Sequence, residues 1–412
     1  MDRGAVAEIN LSAIKQNLKA VSKAAKGRPV IAVVKADAYG HGCIEISKEL
    51  IQAGAFSLAV AYTGEAISLR DAGITAPIIV LFDCNDINSF FDFDLLPVIH
   101  TTTAASALSR EARKRKTMIN VHVKVDTGMG RVGLCGKYVI ENIIKIAGME
   151  GIRLTGLMSH FSDADLSDRS YAATQLKEFT MIRDAVSKKL NKKIFSHMAN
   201  SAAVLNFEDS HLDAVRPGLM LYGYSPLERN LNSTLSPYKS SFSSFEKVVK
   251  GRFKKGQVRI SNSKSIPLVP AMRVTTIILC IRNLPPDSPI SYGRTYVTKR
   301  KSRIGVLPIG YADGYNRLFS NNGVVLVRGR RAPVVGRVCM DLTMVDLTEI
   351  ADVREDDEVV ILGQQGNEMI TAYELSERAQ TIPYEILTSL GIHSRKKYNH
   401  NHLHKVNKNF IL

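Results

Sequence analysis

The sequence predicts an α/β protein, an N-terminal (β/α)8 TIM-like barrel followed by a C-terminal mostly-β domain. Three observations carry that expectation. Apolar, strand-like runs alternate eight times with stretches of helical period over about two hundred residues. A stretch dense in Ser and Lys, from Leu231 to Ser265, then shows no clear period. Beyond it come short β-rich runs punctuated by glycine and proline, with no helical crossover before Tyr373. The expected limits are a barrel over 1–230, an insert or linker over 231–266, a β domain over 267–398 and a basic tail over 399–412. Periodicity does not by itself establish closure, so an open doubly wound sheet stands as the alternative arrangement.

Taken in order, Ser12 opens a helix, as the expected N-cap, with Ile14, Leu18 and Val21 on one face. Pro29 to Val34 is continuously apolar and rich in β-branched residues, as befits a strand buried on both faces, and Lys35 ends it. Helical period follows over Ile44–Ile51, a strand over Phe56–Tyr62, a helix over Glu65–Asp71 and a strand over Pro77–Phe82. The fourth strand, Leu95–His100, precedes a helix over Ala104–Arg115, and the fifth, Met118–Asp126, precedes Val139–Ala147. The sixth, Leu154–His160, leads into the long helix Arg169–Leu190. The seventh, Ile194–Met198, passes through Asn200 and Ser201 into Ala202–Asn206, and the eighth is Ala214–Tyr222. In the second domain the β runs are Arg273–Ile281, Ile304–Ile309, Val324–Val327, Pro333–Val338 and Glu358–Leu362, and a helix follows at Tyr373–Ala379.

Composition narrows the function classes. No run of about 18 apolar residues occurs, and the first fifteen residues lack an apolar signal-peptide core. Cys43, Cys84, Cys135, Cys280 and Cys339 are odd in number and lack any Cys-x-x-Cys spacing, which reads as reduced thiols in a cytoplasmic protein without a metal cluster. The formal charge is +16, but 13 of those charges fall in Arg229–Lys264 and His393–Leu412, so the rest of the chain is close to neutral. Solvated peripheral segments, without specific nucleic acid or membrane contact, are the expectation.

Chemistry-bearing residues gather at strand C-terminal ends, where a parallel barrel places its active site. Lys35 ends strand one, Asp126 and Arg131 follow strand five, and His160 ends strand six. Asn200 and Ser201 follow strand seven, and Arg216-Pro217-Gly218 interrupts strand eight, at positions where barrels commonly bind phosphate. Lys35 taken alone reads more readily as a side chain that snorkels out of the strand end.

Together these residues carry a resemblance. Val33–Gly42 (VVKADAYGHG), Asp126–Gly133 (DTGMGRVG), Asn200–Ala203, Arg216–Gly218, Ser291-Tyr292-Gly293, Gly310–Gly314 (GYADG) and Val338–Asp341 (VCMD) resemble the alanine racemase family, in family order. The likeness begins at Ala7 and runs to about Glu385, leaving out the insert and the tail. It implies a pyridoxal 5'-phosphate enzyme interconverting L-alanine and D-alanine, supplying D-alanine for peptidoglycan, and a homodimer whose active sites draw on both subunits. Lys35 would bind the cofactor covalently and then act as a base on one face of the substrate Cα. Tyr292, from the partner subunit, would be the base on the other face. Arg216 would meet the pyridine nitrogen and His160 the ring. Tyr39, Ser201, Gly218, Leu219 and Tyr384 would bind the phosphate, with Asn200 in support. Arg131 and the backbone N–H of Met340 would meet the substrate carboxylate, and Lys124 matches a lysine often carbamylated to hold that arginine. Cys339 and Asp341 flank Met340, while Tyr311, Arg317 and Arg337 would line the access corridor.

A racemase of broad, serine or lysine specificity is the nearest alternative, since pocket volume decides it, and a non-catalytic pyridoxal-phosphate carrier is the remote one. The second domain and Tyr292 speak against the carrier. Gly128-x-Gly130-x-x-Gly133 fits a dinucleotide fingerprint formally, yet it follows strand five and encloses Arg131. Three departures from the family are the insert, the segment Ser394-Arg395-Lys396-Lys397-Tyr398, where a proline often stands between arginines, and the imperfect match at Ser159-His160-Phe161-Ser162.

Overall fold

The computed structural model describes residues 4–227 and 266–400. The expected insert and tail therefore lie outside the described residues, apart from Ile266, Asn399 and His400.

Seven parallel strands run in sequence order around the first domain. They are β2 (Ile31–Val33), β3 (Ser57–Val60), β4 (Ile78–Val80), β5 (Leu96–Ile99), β6 (Ile119–Lys124), β7 (Ile152–Met158) and β8 (Phe195–His197). Strands β2 and β4 are buried throughout, which is why they read as unbroken apolar runs, while β6 and β7 keep Asn120 and Arg153 exposed. The eighth strand is shorter than Ala214–Tyr222. It bonds both edges of the sheet only around residues 214–217: Val215 N–H donates to Pro29 O at 3.0 Å and Val33 N–H to Pro217 O at 3.1 Å, while Arg216 N–H donates to Ala199 O at 2.8 Å. These bonds close the barrel and exclude the open sheet. Pro217 offers no N–H to extend the ladder, and the chain turns at Gly218 into a 3₁₀ turn, Leu219–Tyr222.

The helices between these strands follow the expected alternation: α1 (Leu11–Ala24), α2 (Cys43–Gln52), α3 (Thr63–Asp71), α4 (Ile87–Asp92), α5 (Thr102–Lys114), α6 (Val139–Ala147), α7 (Ser170–Lys189) and α8 (Ser201–Asn206). Ile14, Leu18 and Val21 are buried as their spacing predicts. The N-cap of α1 is Asn10 rather than Ser12. The Asn10 Oδ1 accepts from Ala13 N–H at 3.1 Å, satisfying an N–H that has no intrahelical partner. Short α4 has too few turns to display a period, and the sequence reading passes over it.

In the second domain Arg273–Ile281 divides between β9 (Met272–Ile277) and β10 (Cys280–Leu284), which belong to different sheets. The remaining strands are β11 (Pro289–Ile290), β12 (Tyr296–Val297), β13 (Ser302–Leu307), β14 (Val324–Val327), β15 (Arg330–Pro333), β16 (Thr343–Asp346), β17 (Glu358–Gln365), β18 (Glu368–Ile370) and β19 (Arg395–Asn399). Strand pairing around Pro333–Val338 thus ends at Pro333, apart from one bridge between Val334 and Val345. The larger sheet has the order β15-β14-β17-β9-β1-β19 with β18 on β17; the smaller is β10-β13-β16.

The strand β1 (Val6–Asn10), in a stretch that the sequence reading includes in the barrel domain without naming a strand, lies inside this larger sheet. It pairs antiparallel to β9 and parallel to β19. Two helices complete the domain, α9 (Ala372–Arg378) and α10 (Pro383–His393). Helix α10 meets the barrel backbone to backbone. A Cβ on Gly391 would strike Gly40 O, and one on Gly40 would strike Leu387 O. One apolar core runs through both domains, from Val33 and Leu219 to Val274 and Leu387.

Candidate active site

Lys35 leaves the end of β2 and is followed by a run of left-handed backbone. Ala36, Asp37, Ala38 and Tyr39 have φ between 52° and 55°, and none of them is glycine. Each such residue costs about 1–2 kcal/mol, so the turn persists only because its surroundings fix it. Glu65 on α3 accepts from Ala36 N–H at 2.6 Å and from Ala61 N–H at 2.7 Å. Asp37 Oδ1 accepts from Cys43 N–H at 2.7 Å, at the start of α2.

The turn aims Lys35 into a cavity of about 730 Å³ at the C-terminal rim of the barrel. Eleven of the residues singled out in the sequence line it: Lys35, Tyr39, Lys124, Arg131, His160, Asn200, Ser201, Arg216, Gly218, Leu219 and Tyr384. Of the second-domain residues only Tyr384, on α10, reaches it, while Tyr292, Tyr311, Arg317, Arg337, Cys339, Met340 and Asp341 do not. Tyr292 is 71% exposed and Met340 54%, and Tyr311, Arg317 and Asp341 are exposed too. Most of these still form a group of their own. Ser291 Oγ donates to Arg337 O at 2.7 Å, the Arg337 guanidinium lies against Gly293, and Tyr311 N–H donates to Cys339 O at 3.1 Å.

The cavity wall is rich in cations. Lys35 Nζ, Lys124 Nζ and Arg131 Cζ stand 5.4, 5.6 and 5.2 Å from the centre of the Phe82 ring. The ring's negative face is the natural partner for such a group of charges. Burial, and then the Arg131 charge, lower the Lys35 pKa against the opposing pull of Glu65. Lys124, 1% exposed, is lowered to about 8 by burial, then by Arg131 and Arg216. A lysine with a lowered pKa holds more of its amine neutral, the form that attacks carbonyl carbon.

Arg131 sits on a loop that winds around Asp126. The Asp126 carboxylate accepts from the N–H groups of Gly128, Met129, Gly130 and Arg131 at 2.8–3.2 Å. Burial works to raise the Asp126 pKa, but those four donors hold it below the usual range. The glycines of the apparent dinucleotide fingerprint serve this wrap.

Arg216 is buried, and among the described residues it has no carboxylate as a hydrogen-bond partner. It donates to His197 O at 2.7 Å, to Ser159 O at 2.6 Å, to His197 Nδ1 at 2.6 Å and to His160 Nδ1 at 3.3 Å. Burial lowers its pKa to about 9, which leaves it a cation at neutral pH. A guanidinium only donates, so His197 Nδ1 must be the accepting nitrogen and its Nε2 must carry the proton. That N–H points at His122 Nδ1, 2.9 Å away. Burial, followed by the Arg216 charge, keeps both histidines neutral, His122 at about 3.

At the other end of the cavity, Ser201 Oγ accepts from Gly218 N–H at 3.0 Å and Met220 N–H at 3.4 Å, and Asn200 Oδ1 caps α8 by accepting from Ala203 N–H at 3.0 Å. Tyr39 stacks near Tyr222 and Tyr384, with ring centres 4.8 and 5.8 Å apart. Burial raises the Tyr39 pKa, so its hydroxyl stays a donor. A Cβ on Gly218 would fall on the Tyr39 hydroxyl, so this cradle of hydroxyls and N–H groups requires glycine there. Such a donor set fits a phosphate, and a lysine amine across the same cavity fits an aldehyde, the two ends of pyridoxal phosphate.

Sequence reasoning missed Phe82, His122, His197 and Glu65. His122 could have been found from its place two residues before Lys124, on the same face of β6.

The family model for "Alanine racemase, N-terminal domain" matches residues 9–226, and that for "Alanine racemase, C-terminal domain" matches residues 271–398. The alanine racemase of Thermodesulfovibrio yellowstonii is 44% identical over 402 residues, covering 97% of this chain and 98% of that protein. The structure of alanine racemase from Bacillus anthracis with bound L-Ala-P superposes with a TM-score of 0.81 at 31% identity, over 97% of this chain and 96% of that one. The alanine racemase from Bartonella henselae, with covalently bound pyridoxal phosphate, gives 0.79 at 26% identity, over 96% and 99%.

Proposed function

The chain belongs to the alanine racemase family, and from that premise we propose how its residues interconvert L-alanine and D-alanine. The observation that carries the proposal is the meeting of Lys35 and the Tyr39–Ser201–Gly218 donor cradle in one cation-lined cavity. Lys35 would hold pyridoxal phosphate covalently, while Tyr39, Ser201, Tyr384 and the N–H groups of Gly218 and Leu219 hold its phosphate and Asn200 fixes the helix start beside them. Arg216 would face the pyridine nitrogen and His160 the ring. When bound, the cofactor draws electrons from the substrate Cα and makes its proton removable.

The remaining work belongs to the chain. Arg216, whose two Nη groups donate to carbonyls and imidazoles, offers the ring nitrogen a contact but keeps its proton. Arg131 orients the substrate carboxylate, and Lys124, with its pKa at about 8, supplies a neutral amine fraction that a carbamate beside Arg131 would need. Lys35 Nζ moves a proton at one face of Cα. Inversion needs a second base on the opposite face, and the partner subunit's Tyr292 would supply it in a homodimer. The exposed Tyr292 and Met340, on the second domain and outside the cavity, support that arrangement. The five cysteines, all free, suit the cytoplasm, where the D-alanine made would serve peptidoglycan.

The test is incubation of the pyridoxal-phosphate-loaded protein with L-alanine in deuterated water. Deuterium entering Cα together with the appearance of D-alanine is the expected result. Absence of both, in protein that holds the cofactor, would overturn the proposal.

A further inference from the structure

The left-handed turn behind Lys35 is held from two directions. Glu65 grips it from the barrel, as described above. The second hold comes from the far end of the chain. Lys396, on β19, pairs with Asp37 Oδ2 at 2.9 Å, and its side chain is only 17% exposed. Asp37 is thereby fixed at both oxygens, since Oδ1 takes the Cys43 N–H.

Side chains two apart on a strand share a face, so Tyr398 lies beside Lys396 while Lys397 is exposed. The Tyr398 hydroxyl occupies the space a Cβ on Gly42 would need, and the Lys396 Cδ lies 3.1 Å from the same point. Gly42 has φ 93°, so the turn ends where β19 presses against it. Strand β19 itself is hydrogen-bonded to β1 in the larger sheet of the second domain. The sequence segment that departs from the family, Arg395-Lys396-Lys397, falls at this contact.

On the reading of Lys35 as the cofactor lysine, we propose that Lys396 is a positioning residue for it. The Lys396–Asp37 ion pair clamps the second domain's last strand onto the left-handed turn and sets the direction in which Lys35 enters the cavity. A turn of four residues in an unfavourable conformation relaxes unless its carbonyls and carboxylates are tied outside itself. Glu65 ties its first N–H, and Lys396 ties its second side chain.

The test uses the full-length protein, first without cofactor. Hydrogen exchange read by mass spectrometry on peptides spanning Val33–Cys43 follows the amides of Ala38, Gly40, His41 and Gly42, all of which are hydrogen-bonded within the turn. Lys396→Met should speed their exchange about two- to fivefold, the upper part of the range that surface ion pairs give. Lys396→Arg should restore protection, and Lys397→Met should leave it unchanged. Pyridoxal phosphate is then added, reduced onto the protein with borohydride, and the labelled lysine mapped. Capture at Lys35 should slow in Lys396→Met by a similar factor. Unchanged exchange and capture in Lys396→Met would overturn the clamp, as would faster exchange spread evenly over the barrel strands. Labelling of a different lysine in the wild-type protein would overturn the reading of Lys35 instead.

Discussion

Lys124 is a charged side chain held 1% exposed beside two arginines and a third cation, Lys35. Its pKa falls from 10.5 in the open chain to about 8 when folded. The unfolded chain therefore binds more protons than the folded one between those values, and stability attributable to Lys124 rises as pH climbs through that window. Below pH 8 the buried charge costs on the order of 3 kcal/mol. Lys124→Met, close in length and uncharged, should melt higher than the parent at pH 7 in cofactor-free buffer without carbon dioxide, and the gap should shrink above pH 8 and close as pH passes 10.5. A gap that stays constant across that range would refute the assignment. Lys124 was legible in the sequence only through the family resemblance, as the match to a lysine often carbamylated. Phe82, which gathers three cations, was not, since a phenylalanine after an apolar run reads as one more core residue. The proton order along Arg216, His197 and His122 was equally hidden, because it depends on which nitrogen faces which.

At the scale of elements, the left-handed turn over Ala36–Tyr39 rests on a few acceptors that its own residues do not supply. Glu65 takes the N–H groups of Ala36, Ala61 and Tyr62. Glu65→Ala leaves three donors without that acceptor and should lower stability by about 2 kcal/mol, with a smaller loss in Glu65→Gln, which keeps one acceptor oxygen. Calorimetric melting of the cofactor-free protein measures both, and equal melting of all three proteins would count against the role. The turn could not be read from sequence, because Ala, Asp, Ala and Tyr carry no preference for positive φ. Strong periodicity made α1, α5 and α6 legible. The eighth strand was overextended because apolar Leu219–Tyr222 reads as strand, while Pro217 decides otherwise.

For the whole molecule, the exposure of Tyr292 and its absence from the cavity of its own chain point to a site shared between two copies. Complementation tests it. Lys35→Ala and Tyr292→Phe proteins, each inactive, are mixed by co-expression. In a mixed dimer one site inherits both defects and the other neither, so random assembly should restore about a quarter of the wild-type rate. No restoration would overturn the shared site. The barrel and β domain were legible as a count of alternations, but their joining was not. Asn17 Nδ2, on α1, donates to Val269 O at 2.8 Å across 252 residues of sequence, and no local pattern announces such a partner. Strand β1 is translated long before β9 and β19, between which it belongs. Until they emerge, a barrel still growing on the ribosome carries an unpaired strand with both edges bare, a template for wrong pairing. Assembly of the second domain is therefore also the step that retires this hazard, and a chain stopped after the barrel would keep it.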